Sequence, residues 1–131
     1  MRILGAAALV AVMVAGLRCG DSPSGPVAGA LSVRLTSPNS GADRAILLTI
    51  DGPTALTSAT AGAQLQLFQQ PLGGTTTRFA VVGPLSTGAT ILTIGVADVG
   101  RVSAYSATIA EIAQTDYQLR SLDGYQLTVE R

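Results

Sequence analysis

The chain has 131 residues and eight arginines against eight acids, so its formal net charge is zero. It holds no lysine, histidine or tryptophan and a single cysteine, and 47% of it is apolar. That composition excludes an internal disulfide, most nucleophile–base pairs and transition-metal sites, and the one-sided basic charge of a nucleic-acid binder.

Residues 1–30 read as an address. Arg2 precedes fifteen uncharged residues, 3–17, and Arg18 and Cys19 follow them. As a helix this run would be about 22 Å long, against a bilayer core of roughly 30 Å. It is short for a permanent span and right for the core of an export signal. Gly16, Leu17, Arg18 and Cys19 resemble the lipobox of bacterial lipoproteins, in which a small residue precedes the cysteine that takes the lipid. Arg18 stands where that pattern has Gly or Ala. The resemblance implies a signal peptide at 1–18, lipid attachment at Cys19, and a Gly/Pro/Ser linker over 19–30. It places the chain in the bacterial cell envelope, outside the cytoplasm and anchored to a membrane. An uncleaved anchor and cleavage after Ala28, Gly29 and Ala30 are the alternatives.

From residue 31 onward the rhythm is β. Residues 31–36 alternate, with Leu31, Val33 and Leu35 on one face. Turn chemistry over 37–43 leads to a second strand at 44–50, with Ile46, Leu48 and Ile50 sharing a face. Residues 56–61 and 64–69 make two shorter segments, the latter with Leu65 and Leu67 facing one way; both Phe79 and Phe68 are expected in the core. A break at 70–74 precedes residues 76–82, where Thr77, Phe79 and Val81 lie opposite Arg78, Ala80 and Val82. After a Gly/Pro loop at 83–88, residues 89–96 put Leu92, Ile94 and Val96 in the core, and 97–103 are irregular. Residues 105–113 suit a strand through Tyr105, Ala107 and Ile109, or a helix through Ile109, Ile112 and Ala113. The β surroundings and the absence of an N-cap favour the strand. A polar connection at 114–124 ends at a final strand, 125–130.

Eight such segments at about ten-residue spacing predict an all-β fold over residues 31–131, an antiparallel two-sheet sandwich. The strings AILLTI (45–50), ALTSATAG (55–62), TRFAVV (77–82), ATILTIGV (89–96) and DGYQLTV (123–129) resemble the strands of cohesin-like domains. That resemblance implies a jelly-roll sandwich, akin to some carbohydrate-binding modules, that acts by non-catalytic recognition.

The carboxylates Asp43, Asp51, Asp98, Glu111, Asp116, Asp123 and Glu130 are spread over turns and strand edges, where solvation is their ordinary role. No two share a strand face as a catalytic pair would. Oxygen ligation of calcium between Asp116 and Asp123 is chemically feasible, but the EF-hand spacing is missing, so no metal and no cofactor are expected. Tyr117, in the polar connection, is the best candidate for an exposed ring that meets a ligand; its ordinary role is to cover the end of the sandwich. The expected function is therefore non-catalytic: surface adhesion or protein or glycan recognition, with a structural subunit of an envelope complex as the alternative. The partners expected are a membrane, through the lipid, and a protein or glycan, with no nucleic acid. Mass spectrometry of the mature chain should find a lipidated Cys19 at its start, and Cys19→Ala should abolish that species. An unmodified Cys19 still joined to residues 3–17 would overturn the assignment.

Overall fold

The computed structural model describes residues 25–131; the expected signal segment, Arg18 and Cys19 lie outside them. Eight strands follow in chain order: β1 (Gly29–Thr36), β2 (Asp43–Asp51), β3 (Ser58–Ala61), β4 (Gln66–Gly73), β5 (Thr76–Leu85), β6 (Thr90–Val96), β7 (Ser106–Gln114) and β8 (Gln126–Glu130). They form two antiparallel sheets, ordered β3-β6-β1-β8 and β4-β5-β2-β7. The ladders β4·β5, β3·β6, β2·β7 and β1·β8 nest inside one another, as when one long hairpin is rolled onto itself. Ladders β1·β6 and β2·β5 join these pairs at the centre of each sheet.

The core follows from the alternation. Leu31, Val33 and Leu35 of β1 and Leu92, Ile94 and Val96 of β6 are buried to 0% exposure. Across the sandwich they join one cluster with Ile46, Leu48 and Ile50 of β2, Phe79 and Val81 of β5, and Ile112 of β7. Each such side chain contributes about 1.5–3 kcal/mol by leaving water. At one end Tyr105 is buried, its hydroxyl 3.3 Å from Thr54 Oγ1. The segment for which a helix was weighed is the strand β7, because its neighbours offer a ladder, β2·β7, that a helix could not fill. The expected irregular stretch holds a short 3-10 turn, Val99–Ala104, opened by Asp98, whose carboxylate accepts from the Gly100 amide at 2.9 Å.

Four expectations need correction, the first being the Gly/Pro loop at 83–88: β5 runs on through Gly83 and Pro84 to Leu85, which is buried and pairs with Asp43 of β2. The strand β4 runs through the expected break at Pro71, because β4 is a sheet edge and Pro71 leaves no interior ladder bond unmade. Phe68 is not in the core: it is 58% exposed, since Leu67 takes the inward position and the next side chain must point outward. Asp43 is no solvated turn acid; it is 1% exposed.

Asp43 is buried because three chain segments converge on it. Ser37 Oγ donates to its Oδ2 at 2.8 Å, the Tyr125 hydroxyl donates to its Oδ1 at 2.9 Å, and Arg120 Nε pairs with Oδ1. Asn39 Nδ2 in turn donates to the Tyr125 hydroxyl at 2.9 Å. The connections before β2 and before β8 are thereby fastened to one carboxylate. Removing one partner of a buried ion pair leaves the other uncompensated, so Asp43→Ala should cost about 3 kcal/mol in urea unfolding. Tyr125→Phe, losing one hydrogen bond to a charge, should cost about 1.5 kcal/mol. A loss below about 0.5 kcal/mol for Asp43→Ala, the range of ordinary surface changes, would show that the convergence is incidental.

Candidate functional site

The two sheets bury similar inner faces but differ on their outer ones. On β3-β6-β1-β8 the cross-strand row is Thr60, Thr93, Ser32 and Glu130. Arg34 lies on the same sheet and pairs with Glu130 at 2.9 Å. This is the polar surface expected of a sheet facing water. On β4-β5-β2-β7 the corresponding row is Phe68, Ala80, Leu47 and Glu111. The next row is Gln66, Val82, Ala45 and Ala113, and Leu119 adds to it through a bridge to Ala113.

Leu119 reaches that row because the chain turns back after β7. The Gln114 amide donates to the Gln118 carbonyl at 3.0 Å and the Arg120 amide to the Ile112 carbonyl at 2.8 Å. Successive side chains then alternate: Arg120 turns inward to Asp43 and Leu119 outward, 63% exposed. Phe68 and Leu119 stand at opposite margins of an apolar floor made by Ala45, Leu47, Ala80 and Val82. Two shallow depressions lie in that floor. One, about 100 Å³, is lined by Ala45, Leu47, Ala80, Glu111, Ala113 and Leu119. The other, about 160 Å³, is lined by Leu47, Phe68, Gln69, Gln70, Arg78 and Ala80.

A third depression, about 220 Å³, opens at the side of the sandwich between β3 and β4, where Thr57, Ser58, Thr76 and Thr77 surround Phe79. It is uncharged and falls short of the roughly 300–1,000 Å³ usual for small-molecule sites.

Tyr117 is 65% exposed and sits at φ 65°, a left-handed conformation unusual for a bulky residue. It stands in the turn that returns the chain to Leu119, held by its amide to the Gln114 carbonyl at 2.8 Å. No second exposed aromatic ring lies in that turn. Tyr125 and Tyr105 are committed to Asp43 and Thr54. Asp116 Oδ1 accepts from the Gln118 amide within its own turn. Among the described residues no three acidic, His or Cys side chains gather where they could hold a metal. Cys19 lies outside the described residues.

The apolar floor does not follow from alternation alone, which singles out one face per strand. The signal was nonetheless present in AILLTI and FAVV, where apolar residues occupy both parities of adjacent central strands. Comparison of the chain with family models, with curated proteins and with solved structures returns no match.

One carboxylate on this sheet has a shifted acidity. The Thr76 and Thr75 hydroxyls donate to Asp51 Oδ1 at 2.9 and 3.0 Å, and these bonds hold its pKa below the ordinary aspartate value. With the folded value depressed, the contacts favour the folded chain above the unfolded pKa of about 3.9. That contribution is lost as pH falls through the folded value. Carboxyl NMR titration should place Asp51 below its usual range, and Thr75→Val with Thr76→Val should move it back up. An Asp51 titration unchanged by the double substitution would contradict this origin.

Proposed function

We propose that this chain is a non-catalytic recognition domain, held outside the cytoplasm through a lipid on Cys19, that binds a protein partner. The observation that supports it best is the apolar floor of Ala45, Leu47, Ala80 and Val82 on the outer face of β4-β5-β2-β7, bordered by the polar row Gln70, Arg78, Thr49 and Thr108 and set against the hydroxyl-rich outer face of the other sheet. A sheet face destined for water carries polar side chains at Ala45, Leu47, Ala80 and Val82; a face destined for a partner does not. A protein is favoured over a glycan because sugar rings are met by aromatic platforms, and Tyr117 stands alone on a narrow turn. The composition leaves few routes to catalysis: there is no imidazole and no lysine, and Asp43, Asp98 and Asp116 are each engaged in structural hydrogen bonds. The reading agrees with what the cohesin-like resemblance implies.

The same apolar face also favours the second reading, a subunit of an envelope complex, for there the partner would be permanent. Among the described residues no helix is long and apolar enough to cross a membrane.

A photoreactive phenylalanine analogue at Ala80 and, separately, at Thr93 would probe the two outer faces in cells that make the full chain. The expected result is a protein adduct of defined mass from position 80 and none from position 93. Absence of any adduct at position 80, or equal adducts from both positions, would overturn the proposal.

A further inference from the structure

We infer that the partner seated on the β4-β5-β2-β7 face is a second copy of this chain. The inference rests on reading that face as a docking surface and adds what occupies it. Three properties of the face are self-complementary.

The first is charge. Arg78 of β5 and Glu111 of β7 are exposed on this face, and among the described residues neither takes part in an ion pair. They lie on opposite halves of the floor, because the strand order places β5 beside β4 and β7 beyond β2. A two-fold axis in the interface, parallel to the strands and between β5 and β2, exchanges those halves. Arg78 of one copy is then brought to the half where the second copy carries Glu111, and the pairing occurs twice. An isologous contact demands such a doubled arrangement.

The second is shape. Phe68 projects from the β4 margin, 58% exposed. The depression beside Leu119, walled by Leu47, Glu111 and Ala113, lies on the β7 side, with Glu111 at the mouth where the partner's Arg78 would meet it. The same axis sets Phe68 of one copy over that depression of the other, so each copy supplies one knob and one hole.

The third is the centre. Ala80 and Leu47 are direct cross-strand partners, and they flank the axis. Two such faces meeting at the roughly 10 Å spacing of packed sheets bring these small and medium side chains together where charges would be most costly.

The test is sedimentation of the full-length chain in excess detergent micelles. Wild type should sediment as a dimer. Arg78→Glu and Glu111→Arg should each convert it to monomer, weakening association about tenfold or more, because each places like charges opposite one another twice. Mixing the two variants should restore the dimer, since Glu at 78 then faces Arg at 111 and Glu111 faces Arg78. Restoration also shows that both variants are folded. A monomeric wild type, a dimer that neither variant weakens, or a mixture that stays monomeric would each overturn the inference. The adduct from position 80 separates the two levels. An adduct with a different protein leaves the docking reading standing and removes the second copy, whereas no adduct removes both.

Discussion

The buried carboxylate of Asp43 governs one whole end of the sandwich. A charge taken from water is tolerated only where ionic and hydrogen-bonding partners surround it. Here those partners are Ser37, from the connection before β2, and Arg120 and Tyr125, from the connection before β8. The network reaches further: the Ser37 amide donates to Thr87 Oγ1 and the Thr87 amide to Ser40 Oγ, both at 3.0 Å. The loops between β1 and β2, β5 and β6, and β7 and β8 therefore share one set of bonds. Neither the β1–β2 nor the β7–β8 loop can move alone without exposing or orphaning the charge, and the β5–β6 loop is tied to the first of them.

This constraint bears on the outer face of β4-β5-β2-β7 through a single alternation. Arg120 is fixed inward by Asp43, so the neighbouring Leu119 is fixed outward against Ala113. The left-handed backbone at Tyr117 belongs to the same device, since it turns the chain sharply enough for Leu119 to return beside β7. A surface residue thus takes its position from a buried ion pair on the far side of the backbone. The floor itself depends on different physics. Leu47 and Ala80 lie on central strands whose inner neighbours, Leu48 and Phe79, are locked in the core. The apolar floor is rigid where it is widest and is braced at its margin by electrostatics.

The fold was largely legible in the sequence, because period-two alternation places Leu31, Val33, Leu35, Ile46, Leu48, Ile50, Phe79 and Val81 without reference to tertiary contacts. What alternation does not encode is which strands become edges. Pro71 reads as a breaker until β4 is known to be an edge, and Phe68 reads as core until Leu67 is known to face inward. Asp43 was equally opaque. Its partners lie 6, 77 and 82 residues away, and nothing local marks a carboxylate that distant hydroxyl and guanidinium groups will enclose. Tyr117 was read correctly as exposed, but the site beside it, the apolar floor, arises from four strands aligned in register. Only the unbroken apolar runs in β2 and β5 hinted at it.

The margins of the sandwich carry one more consequence. Each sheet ends in strands that could recruit a stranger's backbone, and each is obstructed in its own way. The strand β3 has only four residues, β4 holds Pro71, β7 is bridged by Leu119, and β8 has five residues and ends in the charged Glu130. Wherever copies of a β-domain meet at high local concentration, unprotected strand edges would zip into fibres. With its edges blunted and an apolar floor confined to Ala45, Leu47, Ala80 and Val82, this domain offers a neighbour side chains and little open backbone, a geometry that favours a finite contact over an endless one.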